Sequence, residues 1–105
     1  MGKFIIDKRV NDEFQFILKA DNGETILVSE GYSSKSSCEN GIESVRENSK
    51  YDSRYICKKS IDGKFYFNLE AANGEIIGTS EMYESESGMS NGIMSVKQNS
   101  SSPIV

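Results

Sequence analysis

FQFILKADNGETILVSEGY, residues 14–32, returns as FYFNLEAANGEIIGTSEMY, residues 65–83, without insertion or deletion. The offset is 65 − 14 = 51 residues. The same offset relates Asn40-Gly41-Ile42 to Asn91-Gly92-Ile93. A fixed period of this length is typical of two copies of one supersecondary unit, which stack because neither buries its apolar face alone.

The quoted stretch predicts a β-hairpin in each copy. Apolar residues alternate with other residues from Phe14 to Ala20, which is the period of a half-buried strand. Asn22-Gly23 favours a two-residue type I′ turn, after which residues 25–31 return antiparallel. With that turn, Leu18 pairs with Leu27, Phe16 with Ser29 and Ala20 with Thr25.

This register divides the hairpin into two faces. The residue identities on one face mostly recur at the 51-residue offset, so we assign that face to the core: Phe14, Phe16, Leu18, Ala20, Leu27 and Ser29. The second face carries Ile17, Ile26 and Val28 in copy one. Copy two has Asn68, Ile77 and Thr79 at the same positions, so its second face is less apolar.

A helix is expected after each hairpin, over residues 36–48 and 87–99. Ser36-x-x-Glu39 suggests a capping box at the first start, and Cys38, Ile42 and Val45 form one apolar stripe. Gly41 and Gly92 lie at the edge of the two stripes. Because glycine costs about 1 kcal/mol relative to alanine inside a helix, we expect a close backbone approach at both glycines.

The length of 105 residues suits a single domain built from two repeats, at about residues 1–50 and 51–105. A short strand opens each repeat, at residues 4–6 and 55–57, with a register that the sequence leaves open. We expect a cytoplasmic protein, because the chain shows no membrane-spanning run and no signal peptide. The net charge of −4 argues against nucleic acid as a partner, since such binding normally begins with a basic patch.

The cysteine and histidine content argues against a metal or cofactor site. Histidine is absent, and Cys38 and Cys57 show no ligand spacing. Cys38 aligns with Met89 and Cys57 with Ile6, so both cysteines are expected to be small core residues. A disulfide or a reactive thiol is the alternative. No cofactor is expected.

Three segments of copy one resemble the YegP-like family: residues 23–27, 29–35 and 40–45; residues 63–74 do so in copy two. The resemblance covers nearly the whole chain. It implies an α+β fold of two tandem β-β-β-α-β units with pseudo-two-fold symmetry, forming one antiparallel sheet with exchanged C-terminal strands and both helices on one face. The family consists of small bacterial proteins of unknown function, and the resemblance implies no catalytic residue. Pro103-Ile104-Val105 leaves little chain for a second closing strand.

A polar pair precedes each helix and is the candidate ligand-contact set: Ser29 and Glu30, with Ser80 and Glu81. A serine and a carboxylate near a helix start could bind a small polar ligand. The alternative is that each serine satisfies backbone amides while the glutamates are solvated. Neither pair forms an activated nucleophile, because no histidine or suitably spaced lysine accompanies it.

Asn40 and Asn91 lie about 160° from the apolar stripe of their helices at 100° per residue, so they should point outward. They are either contact points for a partner or solvated positions left by duplication. Tyr32 and Tyr83 are expected to pack over the helix starts.

We expect a non-enzymatic binding or protein-interaction module. Its candidate surface is Ile17, Ile26, Val28, Asn40 and Asn91, and the partner is an unknown protein or a second copy. An apolar patch left uncovered by helices often marks a partner site, although scattered surface hydrophobes are also normal. The rival hypothesis is a ligand or enzyme site at the pseudo-two-fold axis, built from Ser29, Glu30, Ser80 and Glu81.

Overall fold

The computed structural model describes residues 2–105. The first copy contains β1 (Lys3–Lys8), β2 (Phe14–Lys19), β3 (Thr25–Ser29) and α1 (Lys35–Asn48). The second contains β4 (Tyr55–Lys59), β5 (Phe65–Glu70), β6 (Ile76–Thr79) and α2 (Glu86–Asn99), and a 3₁₀ turn at Asp52–Arg54 joins the copies. The six strands form one sheet in the order β1-β2-β3-β6-β5-β4, and neighbouring strands are antiparallel. The α+β fold with two repeats is thereby confirmed.

The two copies join along β3 and β6. Val28 pairs with Thr79, and Ser29 pairs with Gly78. Val28 and Thr79 are repeat equivalents, because 79 − 28 = 51. This pair is therefore its own image, and the pseudo-two-fold axis passes through it.

The prediction of a type I′ turn at Asn22-Gly23 is wrong. Gly23 N–H donates to Ala20 C=O, and Ala20 N–H donates to Glu24 C=O, both at 2.9 Å. Gly23 has φ +84°. These bonds define a turn over residues 20–23, whose last residue is the left-handed glycine, and a bulge follows the turn.

The bulge changes the register beyond Leu18. Leu18 pairs with Leu27 as predicted, but Lys19, rather than Ala20, pairs with Thr25. One extra residue, Ile26, is thus accommodated in β3. It belongs to the hydrophobic core and is 5% exposed, so its placement on the second face is wrong.

The first hairpin of each copy uses the same turn. Asp12 N–H donates to Arg9 C=O, and Gly63 N–H donates to Ser60 C=O, both at 3.0 Å. Asp12 has φ +68° and Gly63 has φ +85°. In the resulting register Phe4 pairs with Leu18, which places Phe4 in the core and Ile5 on the opposite face.

The helices begin earlier than the capping-box prediction places them. Ser34 caps α1 by accepting a hydrogen bond from Ser37 N–H at 3.1 Å, so Ser36 is not the capping residue. Ser85 caps α2 in the same way, through Gly88 N–H at 3.0 Å. The cap moves because the serine must have extended backbone just before the first helical turn.

Both helices cover the same face of the sheet and enclose one core between them. The core residues that are fully buried come from strands and helices of both copies: Phe4, Phe16, Leu18, Leu27, Cys38, Ile42, Val45, Phe67, Leu69 and Val96. Each such aliphatic or aromatic side chain contributes about 1.5–3 kcal/mol when fully buried. At the pseudo-axis, Leu27 fills space that Gly78 leaves, since a Cβ on Gly78 would lie 2.9 Å from Leu27 Cγ.

The closing strand of the second copy is reduced to a single parallel bridge between Phe4 and Ile104. Phe4 N–H donates to Pro103 C=O, and Val105 N–H donates to Phe4 C=O, both at 2.9 Å. The bridge is short because proline supplies no N–H for a longer ladder. In copy one the equivalent residues form the 3₁₀ turn instead.

No helix within residues 2–105 is long and apolar enough to span a membrane.

The left-handed position of the hairpin turn gives a first prediction. Gly63→Ala should lower the free energy of unfolding by about 1–2 kcal/mol, because a Cβ disfavours positive φ. Gly63→Asp should cost less, since aspartate tolerates this conformation and Asp12 adopts it at the equivalent position. Urea denaturation of both variants measures the difference, and equal losses would contradict the explanation.

Candidate interaction surfaces

The face of the sheet away from the helices carries a row of cross-strand neighbours that spans all six strands. Successive pairings run Ile5–Ile17, Ile17–Val28, Val28–Thr79, Thr79–Asn68 and Asn68–Ile56. We call these six residues the central row. Strand alternation places them opposite the core face, and both helices pack on the core side. The central row therefore lies along the middle of the uncovered face.

The two halves of the central row differ in polarity. Ile5, Ile17 and Val28 are half-buried aliphatic residues in three adjacent strands. Their equivalents in copy two are Ile56, Asn68 and Thr79, and only Ile56 is aliphatic. The apolar patch is thus confined to one half of the face, as the comparison of the copies predicts.

Asn68 is 6% exposed although it lies on the uncovered face. Thr79 Oγ1 donates a hydrogen bond to Asn68 Oδ1 at 2.8 Å. Within residues 2–105, the Asn68 Nδ2 group donates no hydrogen bond. The Asn68 amide therefore keeps donor capacity, although little of the residue is exposed.

The structure does not assemble the five predicted interaction residues into one surface. Ile17 and Val28 lie on the uncovered face, and Ile26 is in the core. Asn40 and Asn91 are exposed on the helices, on the other side of the sheet. Sequence analysis missed Ile5 and Ile56, because the register of the first hairpin of each copy was open.

Asn40 lines a groove of about 250 Å³ between α1 and the β5–β6 hairpin. Tyr32 and Gly41 lie in its floor, and Asn73 and Glu75 come from the hairpin of the other copy. A related groove of about 470 Å³ runs along Glu24, Ile26 and Tyr83. Each groove thus lies where elements of the two copies meet.

The tyrosine contacts explain the two helix glycines. A Cβ on Gly41 would lie 2.7 Å from Tyr32 Cζ, and one on Gly92 would lie 2.6 Å from Tyr83 Cζ. The glycines do mark close approaches, but the expectation that a backbone approaches them is wrong, because the neighbour is a tyrosine ring in both copies. Burial, followed by nearby negative groups, raises the pKa of both tyrosine hydroxyls above its usual value.

Ser29 and Ser80 have equivalent structural roles in the sheet. Phe16 N–H donates to Ser29 Oγ at 2.9 Å, and the Ser29 hydroxyl donates to Glu30 C=O at 2.7 Å. Ser80 bonds Phe67 N–H and Glu81 C=O in the same way, at 3.0 and 2.8 Å. Both serines are 6% exposed.

The carboxylates of the candidate ligand set lie apart from these hydroxyls. Glu30 and Glu81 are exposed, whereas the serine hydroxyls are buried and occupied by the backbone. This geometry favours a structural role for the serines. Ligand contact by Ser29, Glu30, Ser80 and Glu81 stays a prediction.

The two cysteines have different environments. Cys38 is fully buried, and burial, with smaller contributions from Glu39 and Asp7, raises the pKa of its thiol to about 11. Cys57 is exposed on the edge strand β4, so the expectation that it is a core residue is wrong. Its position beside Phe65 and Met89 leaves a shallow cavity of about 250 Å³. No cluster of three potential metal ligands occurs within residues 2–105.

Comparison with known proteins agrees with the repeat and the fold. A family model described as "Domain of unknown function (DUF1508)" matches residues 10–55 and again residues 60–105. The chain belongs to this family. The resemblance to YegP-like proteins is confirmed by the relatives that carry that name.

Relatives of the chain match along nearly their whole length. The UPF0339 protein YegP of Escherichia coli K12 is 53% identical over 104 residues, covering 99% of this chain and 94% of the relative. A UPF0339 protein from Shewanella oneidensis is 52% identical over 98 residues, covering 93% and 89%. Neither name states a function.

Two solution NMR structures share the fold. The protein of unknown function yegP from E. coli has a TM-score of 0.93 and 51% identity, covering 98% of this chain and 90% of that chain. The UPF0339 protein from S. oneidensis has a TM-score of 0.90 and 48% identity, with coverage of 98% and 89%.

The Tyr32–Gly41 contact gives a second prediction. Gly41→Ala should lower the free energy of unfolding by about 1–3 kcal/mol through overpacking, although alanine is the better helix former. Tyr32→Leu should remove much of this penalty, so the double variant should be more stable than the sum of single losses implies. Chemical denaturation of the four proteins measures the coupling, and additive losses would show that the ring does not require the glycine.

The thiol environments give a third prediction. A thiol reagent at neutral pH should modify Cys57 in the folded protein and Cys38 only after unfolding. The pKa of the Cys38 thiol is also higher in the fold than its ordinary value of 9.0, so its contribution to the free energy of unfolding is complete below pH 9.0. This contribution is lost as the pH rises toward about 11, because the unfolded chain then binds fewer protons than the fold. A Cys38→Val variant should show a smaller loss of stability between those pH values. Rapid labelling of both thiols in the native protein would contradict the assignment.

Proposed function

We propose that this protein is a non-enzymatic interaction module that binds another protein through its uncovered sheet face. The observation that carries the proposal is the patch of Ile5, Ile17 and Val28 in three adjacent strands. In an antiparallel sheet with one solvated face, that face usually carries polar residues. Three neighbouring aliphatic side chains in one half of this face are what a partner's apolar surface would cover.

The chemistry of the described side chains supports a binding role over a catalytic one. The Cys38 thiol is buried, and its raised pKa keeps it protonated at neutral pH. The Ser29 and Ser80 hydroxyls are held by backbone groups. A serine or thiol nucleophile needs an adjacent base or a lowered pKa, and these groups have neither.

A second candidate function is small-ligand binding in the groove beside α1. The supporting observation is that the Asn40 amide and the Tyr32 hydroxyl both line this groove. Among residues 2–105, neither group has a hydrogen-bond partner. The groove could therefore offer both groups to a polar ligand.

A pair of lysine substitutions gives the fourth prediction and separates the two surfaces. Ile17→Lys places a charge in the patch and should abolish binding of a protein partner, because an unpaired charge would have to be buried. Asn40→Lys adds the same charge in the groove and should leave that binding intact. Immobilised wild-type and variant proteins, incubated with lysate from the source bacterium, provide the comparison by quantitative mass spectrometry.

The proposal requires a protein that is retained by the wild type and Asn40→Lys but lost from Ile17→Lys. Loss from Asn40→Lys alone would move the function to the groove. Equal retention by all three proteins would remove the uncovered face from consideration. Circular dichroism and denaturation of each variant check that the fold is unchanged.

A further inference from the structure

We propose that the uncovered face is occupied by a second copy of this chain, with the two-fold axis of the dimer parallel to the central row. This inference rests on the proposed function and names its partner. Two sheets would stack face to face, and each strand would lie over the same strand of the other copy. Aligned stacking of this kind is one of the two common arrangements of packed sheets.

The order of side chains along the central row favours this axis. Rotation about the row places each member over its own counterpart. Ile5, Ile17 and Val28 then cover the same aliphatic residues of the second copy, while Thr79 and Asn68 cover polar ones. An isologous interface has this self-complementary form.

Asn68 supplies the polar match. Its Oδ1 accepts the Thr79 hydroxyl, and its Nδ2 donors are unused within the described chain. Over its own counterpart, each amide can donate through Nδ2 and accept through the free lone pair of Oδ1. A buried polar pair of this kind fixes the register of an interface, because a shifted register would leave both amides unsatisfied.

The charges beside the row are complementary about the same axis. Lys3 and Lys19 form the pair two residues to one side of Ile5 and Ile17, and Asp7 and Gln15 form the pair two residues to the other side. Rotation about the row therefore places Lys3 over Asp7 of the second copy. Neither group forms an ion pair within residues 2–105.

At the copy-two end of the face, basic and acidic residues lie on the same two sides of the row as in copy one. Lys58 and Tyr66 flank the row on the lysine side, and Glu70 lies on the Asp7 side. Lys58 and Glu70 are also without an ion pair in the described chain. Arg54, which follows the row on that side, is directed away because it donates to Asn48 Oδ1 at 2.9 Å and lies over the Tyr51 ring.

The other possible axis, parallel to the strands, fits poorly. It would place Ile17 over Asn68 and Val28 over Thr79, which buries polar groups against aliphatic ones. It would also bring Lys3 over Lys58. Like charges brought together across an interface are strongly unfavourable, so the side-chain pattern selects the axis along the row.

Charge reversal gives the fifth prediction. One variant is Lys3→Glu/Lys19→Glu, and the other is Asp7→Lys/Gln15→Lys. Each variant alone would face its own like charges across the axis and should associate at least about tenfold more weakly than wild type. An equimolar mixture should recover association, because opposite charges on the two proteins then meet on both sides of the central row.

The measurement is light scattering under reducing conditions over a concentration series. The wild type should approach twice the 11.7 kDa chain mass, each variant alone should stay near the single mass, and the mixture should return to the double mass. Lys35→Glu/Lys50→Glu is the matched control, since it makes the same charge change at two exposed positions near the ends of α1 and should behave as wild type. Circular dichroism checks the fold of every variant.

A cysteine pair tests the axis independently of charge. In a Cys57→Ser background, Ile17→Cys should cross-link to its own counterpart on mild oxidation, because this axis superimposes residue 17 on itself. A mixture of Ile17→Cys and Asn68→Cys would cross-link preferentially if the axis ran along the strands. Preferential mixed cross-linking would overturn the proposal.

The remaining outcomes are also decisive. A wild type that keeps the single-chain mass at every concentration, or a mixture that fails to recover, overturns the inference. If a lysate protein is still lost from Ile17→Lys in that case, the proposed function stands with a different partner. If no protein depends on Ile17 either, both proposals fail.

Discussion

The architecture depends on a very short seam. The two three-stranded halves meet through the pairings Val28–Thr79 and Ser29–Gly78, which is too little ladder to hold two sheets together in water. The helices supply the rest, because α1 packs against β5 and β6 as well as its own strands, and α2 packs against β2 and β3. Each helix therefore bridges the seam, and the core forms only when both copies are present.

The same constraint determines which face remains open. Both helices must lie on the side where the seam needs covering, so residues 2–105 provide no helix over the other side of the six strands. The grooves lie on the helix side, where elements of one copy meet a hairpin or loop of the other. The candidate interaction surfaces thus follow from how the seam is closed, and differences between the copies can alter them at little cost to the core.

Much of the fold could be predicted from the repeat and from strand alternation. Leu18 and Leu27 lie opposite each other as the pattern indicates, and the glycines at 41 and 92 mark real close approaches. Turn chemistry was the source of error. An Asn-Gly pair fits both a two-residue turn and the longer turn with a left-handed glycine, and the choice inserts one residue into the ladder.

That single residue decided the accuracy of the site prediction. Ile17 and Val28 form a regular pair outside the bulge and lie on the face that strand alternation predicts. Ile26 is the bulged residue, and its side chain packs in the core instead. Strand alternation assigned Ser29 to the core face, and its hydroxyl accepts a hydrogen bond from Phe16 N–H there. The sequence allowed a serine that satisfies a backbone amide, but it could not identify the amide, because that depends on the neighbouring strand.

Leu27 and Gly78 show what covalent fusion of the repeats makes possible. In a dimer of identical single repeats, any residue beside the axis meets itself, so both copies must carry a side chain small enough to share the space. Joining the copies into one polypeptide removes that requirement. One copy can then carry a large side chain beside the axis, here Leu27, while the other carries glycine at the equivalent position, here Gly78. The duplicated gene could therefore evolve different surfaces from a common scaffold, with tight packing kept at the position where symmetry would otherwise forbid it.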